Sequence, residues 1–318
     1  MKLKNFIKTS VVAEILKTGG FTKGGGFRLL DCASVVSPRD HKEFMESNYG
    51  KFEKLMSMNT SQRQEYMNKH IPNAVHIDLN IATYPDQYQP YSMYPPEIFQ
   101  KYARLLGINR SEHIILYDRE RVGGMLHPCR ISWLFKYYGH KAVSVMDGGL
   151  QAWEEDGGEV TQKEPKIEPG DWVATLCPEY IVTYEDLVKK DASGRNLLDK
   201  AAQLNFFDSR PREQFEGKAD TGLDPNKVTG SHVKGMKCAP AVEMIDENGR
   251  LKTDKELKFW LQKCGFKHNL PTISLCLRGM QACMLNLVIE DIFPTLHPRV
   301  YHGSCLELQN RDPARLSE

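Results

Sequence analysis

The order of elements in residues 271–289 constrains the fold more than any other part of the sequence. Residues 271–275 form a short apolar run that predicts a buried strand, and residues 282–289 form a longer one that predicts a largely buried helix. Six residues, 276–281, separate the two. A strand that turns tightly into a helix is typical of a parallel α/β sheet, in which sites lie beyond the carboxyl ends of the strands.

The first residue of this loop is Cys276. Backbone N–H groups of a tight loop can turn towards a sulfur in this place, and the helix N-terminus adds partial positive charge. Both effects favour a thiolate, which predicts a nucleophile at neutral pH. An ordinary core cysteine is the alternative. The strand–loop–helix context, with Arg278 and Gly279 inside the loop, favours the nucleophile.

The chain contains an internal repeat. Residues 99–107 resemble 257–265 at an offset of 158 positions, and Asp118 stands 158 positions before Cys276. In both copies short apolar runs alternate with helical patterns, which predicts two duplicated domains, each a mostly parallel sheet flanked by helices. We place these domains at 1–160 and 176–318, with a charged, proline-containing linker at 161–175. The offset is 177 near Asp208, so either the second copy has an insertion before that strand or the first has a longer segment after it.

Charge and cysteine spacing exclude several classes of function. Lys and Arg total 42 against 41 for Asp and Glu, so nucleic acid and anionic membranes are not expected as general partners. No apolar run reaches the roughly 18 residues that a membrane-spanning helix needs. The eight cysteines include no Cys-x-x-Cys pair, which indicates reduced thiols and neither a disulfide framework nor a metal site. We expect no cofactor. Glu14 interrupts the apolar run at 11–13 and the first arginine is Arg28, so we expect a cytoplasmic location, with mitochondria as the alternative.

The sequence resembles the tandem rhodanese family, which contains thiosulfate and 3-mercaptopyruvate sulfurtransferases. In that family a six-residue loop beginning with cysteine cradles a persulfide, and residues 276–281 have this length and position. Further family signatures are matched at 71–76, 139–140, 145–153, 207–210 and 232–235.

The resemblance implies a sulfurtransferase in which Cys276 carries the transferred sulfur. The donor would be a small anion, thiosulfate or 3-mercaptopyruvate, and the acceptor cyanide, a small thiol or a thioredoxin-like protein. Asp118 cannot form a persulfide, and the loop at 119–128 looks too long for a compact anion cradle. The first domain is therefore expected to form one wall of the active cleft. The residues expected to bind substrate are Leu277, Arg278, Gly279, Met280, Gln281 and Arg210.

Three of these expectations have alternatives. Arg278 either binds the anionic donor or is a solvated rim residue, and Arg210 either lines the site or forms a structural ion pair. Cys283 either packs in the core or acts as a resolving thiol.

The sequence also departs from the family pattern. Arg278 stands where mercaptopyruvate enzymes usually carry a serine, Met93 or a neighbour stands at the position of a histidine, Gln214 replaces a substrate-binding arginine, and Cys305 replaces an aromatic residue. These departures leave the donor open.

Two other functions compete with the sulfurtransferase. A catalytically weak rhodanese-like sensor or scaffold is consistent with the departures. A cysteine phosphatase is not favoured, because its seven-residue loop would end in an arginine at the position of Ala282.

Overall fold

The computed structural model describes residues 3–120 and 122–318 and divides the chain into two compact units. One comprises residues 1–177 together with 247–250, and the other comprises 178–246 and 251–318. Arg121, which belongs to the loop compared above with the Cys276 loop, lies outside the described residues, as do Met1 and Lys2.

Each unit contains a five-stranded parallel sheet. In the first unit the spatial order is β1-β5-β4-β2-β3, and in the second it is β6-β10-β9-β7-β8. The strands of the first sheet are β1 Phe6–Ile7, β2 Phe27–Asp31, β3 Val75–His76, β4 His113–Tyr117 and β5 Val143–Met146. Those of the second are β6 Ile181–Val182, β7 Asn205–Asp208, β8 Lys237–Cys238, β9 Thr272–Leu275 and β10 Arg299–Tyr301.

Helices connect the strands in both units. In the first unit they are α1 Thr9–Lys17, α2 His41–Ser47, α3 Phe52–Met56, α4 Ser61–Asn68, α5 Leu79–Ala82, α6 Pro96–Leu105, α7 Leu126–Tyr137 and α8 Gly149–Glu155. In the second they are α9 Tyr184–Val188, α10 Arg212–Phe215, α11 Asp254–Lys263, α12 Met280–Ile292 and α13 Ser304–Arg311. None of the helices formed by the described residues combines the length and apolar composition needed to span a bilayer.

The two sheets have the same topology, which confirms the duplicated α/β fold predicted from the repeat. The order of strands matches one for one, and α6 and α11 begin at the same relative position, 158 residues apart. Asp31 and Asp118 are 87 positions apart, whereas Asp208 and Cys276 are 68 apart. The change of offset therefore reflects a longer segment in the first copy, where α2 to α5 lie between β2 and β4.

The segment at 161–175 has no helix and groups with the first unit. Thr161 pairs with His70 in an isolated antiparallel bridge. Trp172 is buried, and its backbone N–H donates to the carbonyl of Ile108 at 3.2 Å. The part of this segment around Trp172 is thus docked on the first unit.

The centre of the second sheet positions the cysteine loop. Strand β9 lies between β10 and β7, and all four of its residues are buried. The side chain of Asn205, at the start of β7, donates to the carbonyls of Lys267 and Leu270 at 2.7 and 3.1 Å and to the Thr272 hydroxyl at 3.2 Å. Its carbonyl accepts from the Lys267 N–H at 2.9 Å. One buried amide thus joins β7 to the segment that leads into β9.

We expect Asn205→Ala to lower the free energy of unfolding by about 2–4 kcal/mol, because it leaves several buried polar groups without a partner. Asn226→Ala is the matched control, since that amide is exposed and donates to Asp224 at 3.0 Å. Urea unfolding of both variants measures the effect. Equal stability of the two would show that the Asn205 amide does not hold β7 and β9 together.

Candidate active site

Cys276 lies directly after β9, at the carboxyl end of the second sheet, and is 1% exposed. Helix α12 begins four residues later at Met280, and Gly279 precedes it with a left-handed backbone conformation, φ = +86°. This conformation is one that glycine adopts without the steric cost that a Cβ imposes. The predicted strand, loop and helix are therefore all present, and the glycine allows the tight turn between them.

The loop directs a backbone donor at the sulfur. The N–H of Gly279 donates to Sγ of Cys276 at 3.1 Å. A donor in this position stabilises negative charge on the sulfur, as does the N-terminus of the thirteen-residue helix α12. The geometry thus suits a sulfur that carries negative charge.

The loop is also anchored on its other side by the start of α13. The N–H of Cys276 donates to Oγ of Ser304 at 3.2 Å, and that hydroxyl donates to the Tyr301 carbonyl at 3.0 Å. The N–H of Cys305 donates to the carbonyl of Cys276 at 3.0 Å. These bonds fix the backbone of Cys276 between β10 and α13, so the sulfur has a defined position.

The remaining loop residues differ in exposure. Met280 is buried, whereas Leu277, Arg278 and Gln281 are half-buried. Leu277 packs against the core of the unit, and its carbonyl accepts from the N–H of Leu306 at 3.2 Å. Arg278 forms no ion pair within the part of the chain that the structure describes. Its cation is therefore available to a ligand.

Arg210 is fully buried and forms the ion pair that the sequence left as an alternative. Its Nη2 lies 2.6 Å from Oδ2 of Asp208, its Nε lies 3.0 Å from the same oxygen, and its Nη2 also donates to the Ser231 carbonyl at 2.7 Å. Burial lowers the pKa of Arg210, but the nearby Cys305, Asp208 and Cys276 outweigh it, so that the pKa is raised. The guanidinium thus lies close enough to both cysteines to interact with them electrostatically. Its binding of substrate stays a prediction.

Asp118 occupies the corresponding position in the first unit. It follows β4, is 2% exposed, and accepts a hydrogen bond from Nδ1 of His127 at 2.7 Å. Burial raises the pKa of the Asp118 carboxyl to about 6, although the bond from His127 opposes this shift. A buried carboxyl group thus stands where the second unit has its thiol.

The loop after Asp118 directs several of its backbone N–H groups at one of its own side chains, and the expectation that it is too long to cradle an anion stays a prediction. The Glu120 carboxylate accepts from the N–H groups of Val122, Met125 and Leu126 at 2.7, 2.8 and 2.9 Å. An internal carboxylate therefore takes up donors that could otherwise hold an external anion. The glutamate three residues after the strand was the available signal in the sequence, but the direction of its side chain depends on the folded loop.

The residues that depart from the family pattern lie in both units. Met93 is half-buried in the first unit, and in the second the side chain of Gln214 donates to the Asp220 carbonyl at 2.9 Å. Cys305 is buried beside Cys276, a placement that the sequence analysis did not anticipate, and Cys283 is buried in α12.

Among the described residues, no group of three or more His, Cys, Asp or Glu side chains is arranged to hold a metal ion.

Comparison with known proteins assigns the family. A relative from Caenorhabditis elegans, mpst-1, whose name describes a thiosulfate sulfurtransferase, is 41% identical over 322 residues, covering 100% of this chain and 98% of the relative. The chain belongs to the rhodanese family of sulfurtransferases. A thiosulfate sulfurtransferase from Rattus norvegicus is 30% identical over 310 residues, covering 96% of this chain and 92% of the rat protein. The rhodanese-like domain profile matches residues 50–156.

A solved structure agrees with the rhodanese fold. SseA from Escherichia coli, described as a 3-mercaptopyruvate sulfotransferase, superposes with a TM-score of 0.72 and 24% identity, covering 95% of this chain and 99% of SseA. At this identity the likeness shows the fold alone.

Replacing Gly279 with alanine tests the loop geometry of this rhodanese. Because φ is +86°, we expect Gly279→Ala to cost about 1 kcal/mol of stability and to displace the N–H from the sulfur, so that kcat/KM for sulfur transfer falls at least tenfold. Gly265→Ala is the matched control, since Gly265 has φ = +81° but follows α11. It should lose similar stability and keep its activity. Equal loss of activity in both variants would contradict a specific role for the Gly279 N–H.

Proposed function

We propose that this rhodanese moves a sulfane sulfur from a small anionic donor, thiosulfate or 3-mercaptopyruvate, to a thiophilic acceptor through a persulfide on Cys276. The observation that carries the proposal is the hydrogen bond from the Gly279 N–H to Cys276 Sγ, at the carboxyl end of a central parallel strand. Acceptors of the expected chemistry are cyanide, small thiols and thioredoxin-like proteins.

The first half-reaction loads the cysteine. The Cys276 thiolate attacks the outer sulfur of thiosulfate, a bond forms between the two sulfurs, and the bond to the donor's inner sulfur breaks with its electron pair, releasing sulfite. With 3-mercaptopyruvate the carbon–sulfur bond breaks instead, and protonation of the carbon yields pyruvate. In both cases the product is a persulfide whose terminal sulfur carries the negative charge.

The second half-reaction transfers the sulfur of the Cys276 persulfide to the acceptor. A nucleophilic acceptor attacks the terminal sulfur, and the electron pair of the sulfur–sulfur bond returns to Cys276 as a thiolate. Backbone N–H donors of the loop favour the anionic forms of both states. Because the enzyme alternates between two covalent forms, we expect ping-pong kinetics.

Arg278 supports the choice of an anionic donor. It is half-buried, it lies two residues after the nucleophile, and it makes no ion pair in the described part of the chain. A cation in this place attracts sulfonate or carboxylate alike, which leaves the choice between the two donors to other residues.

We expect Arg278→Ala to raise KM for thiosulfate about fivefold, since one partly exposed charge contributes on the order of 1 kcal/mol. Arg278→Lys should keep most of the affinity. Added salt should weaken donor binding in the parent protein more than in the alanine variant, because screening acts on the removed charge. Steady-state kinetics at two ionic strengths measures both effects, and an unchanged KM would indicate that Arg278 is a solvated rim residue.

We expect Cys276→Ser to abolish sulfur transfer while leaving the unfolding curve close to that of the parent protein, because an oxygen of nearly equal size cannot form the persulfide. The control is Cys264→Ser, which changes another buried cysteine of the same unit, located after α11. More than trace activity in Cys276→Ser would make the assignment of the nucleophile wrong.

A catalytically weak sensor or scaffold is the second candidate function. It is favoured by the small exposed fraction of Cys276, 1%, and by the replacements at Met93 and Gln214. Turnover with either donor separates the two functions: a persulfide that forms once and is not discharged by any thiol or cyanide supports the sensor.

A further inference from the structure

Cys305 is a second thiol held against the nucleophile. It is the second residue of α13 and is 1% exposed, as is Cys276. Its N–H donates to the carbonyl of Cys276 at 3.0 Å, and the adjacent Ser304 hydroxyl accepts from the Cys276 N–H at 3.2 Å. The backbone bond makes the two residues neighbours, and the two thiols are close enough to interact electrostatically.

The surroundings of Cys305 keep it protonated. Burial raises the pKa of its thiol, the Arg210 guanidinium opposes this shift, and Asp208 and Cys276 add to it, so that the pKa is well above the usual range. Because the thiolate is the attacking species in thiol–disulfide exchange, Cys305 must first give its proton to an acceptor, and the anionic terminal sulfur of a Cys276 persulfide is such an acceptor.

We propose that Cys305 is a resolving thiol that discharges the Cys276 persulfide within the chain. The Cys305 sulfur attacks Sγ of Cys276, a disulfide bond forms between the two residues, and the bond to the terminal sulfur breaks with its electron pair. The proton of the Cys305 thiol leaves with the terminal sulfur as hydrosulfide. The two cysteines are oxidised, and the sulfane sulfur is reduced to sulfide.

This step makes sulfide a second product of the enzyme, besides the sulfur passed to an acceptor. When no external acceptor is present, the loaded enzyme releases sulfide once and stops as an intramolecular disulfide. A dithiol reductant, which becomes a disulfide itself, restores both thiols for the next turnover. The inference rests on the proposed function, because the persulfide is its substrate.

Cys283 is the other thiol that could compete for this role. It lies in the first turn of α12, where its N–H donates to the Gly279 carbonyl at 3.3 Å. Its backbone is therefore paired with the loop glycine, whereas that of Cys305 is paired with Cys276 itself. This difference in backbone pairing makes Cys305 the better candidate for the resolving thiol.

The test loads the full chain with excess thiosulfate, removes the donor without adding a reductant, and follows sulfide release and the cysteine-containing peptides by mass spectrometry. We expect about one sulfide per chain and a peptide in which Cys276 is joined to Cys305. In Cys305→Ser the persulfide should persist on Cys276, and sulfide release should fall at least tenfold. Cys264→Ser, with another buried cysteine changed, should behave as the parent protein does.

Three results would overturn the inference. One is a stable persulfide on Cys276 in the parent protein with no sulfide released, and another is a disulfide from Cys276 to Cys283. The third comes from a separate oxidation experiment.

This second experiment decides the inference independently of the proposed function, which is wrong if no persulfide forms in any variant. In this experiment one equivalent of diamide is added to the reduced parent protein, and absence of a Cys276–Cys305 disulfide would show that the two thiols do not meet.

Discussion

The hydrogen bond from the Gly279 N–H to Cys276 Sγ is the contact on which the proposed chemistry depends. It exists because β9 ends at a buried cysteine and because a left-handed glycine lets the chain turn at once into α12. The parallel sheet supplies the position at its carboxyl edge, and the start of α13 holds the other side of the loop. Much of the second unit therefore bears on the placement of one sulfur atom.

The duplication provides a comparison within one molecule. The two sheets share a topology, and in both a loop that supplies backbone N–H donors follows the central strand. In the second unit the donor meets the Cys276 sulfur, whereas in the first the Glu120 carboxylate takes up the donors and Asp118 is paired with His127. The position after the central strand is thus a property of the fold, and the residues placed there decide whether sulfur chemistry can occur.

Features that depend on local pattern could be predicted from the sequence. The strand before Cys276, the helix after it and the duplicated domain all follow from the period and position of apolar residues, and the structure contains them. Features that depend on contacts between distant segments could not. The burial of Arg210 against Asp208 and the approach of Cys305 to Cys276 depend on how β7, β9 and α13 pack.

The role of Glu120 could be predicted from the sequence only in part. Its position after the strand is visible in the sequence, yet the turn that directs its carboxylate to the N–H groups of Met125 and Leu126 is not. Side-chain-to-backbone bonds of this kind compete with alternative loop conformations that the sequence pattern does not distinguish. Loop length alone therefore does not reveal which group takes up the N–H donors of this loop.

The most direct measurement of the central claim is the position of the transferred sulfur. The full chain would be mixed with thiosulfate labelled in its outer sulfur, quenched with acid within the first turnover, and digested for mass spectrometry. The account predicts one labelled sulfur per chain, attached to the peptide that contains Cys276. A label found first on another cysteine, or sulfite release with neither a labelled peptide nor labelled sulfide, would contradict it.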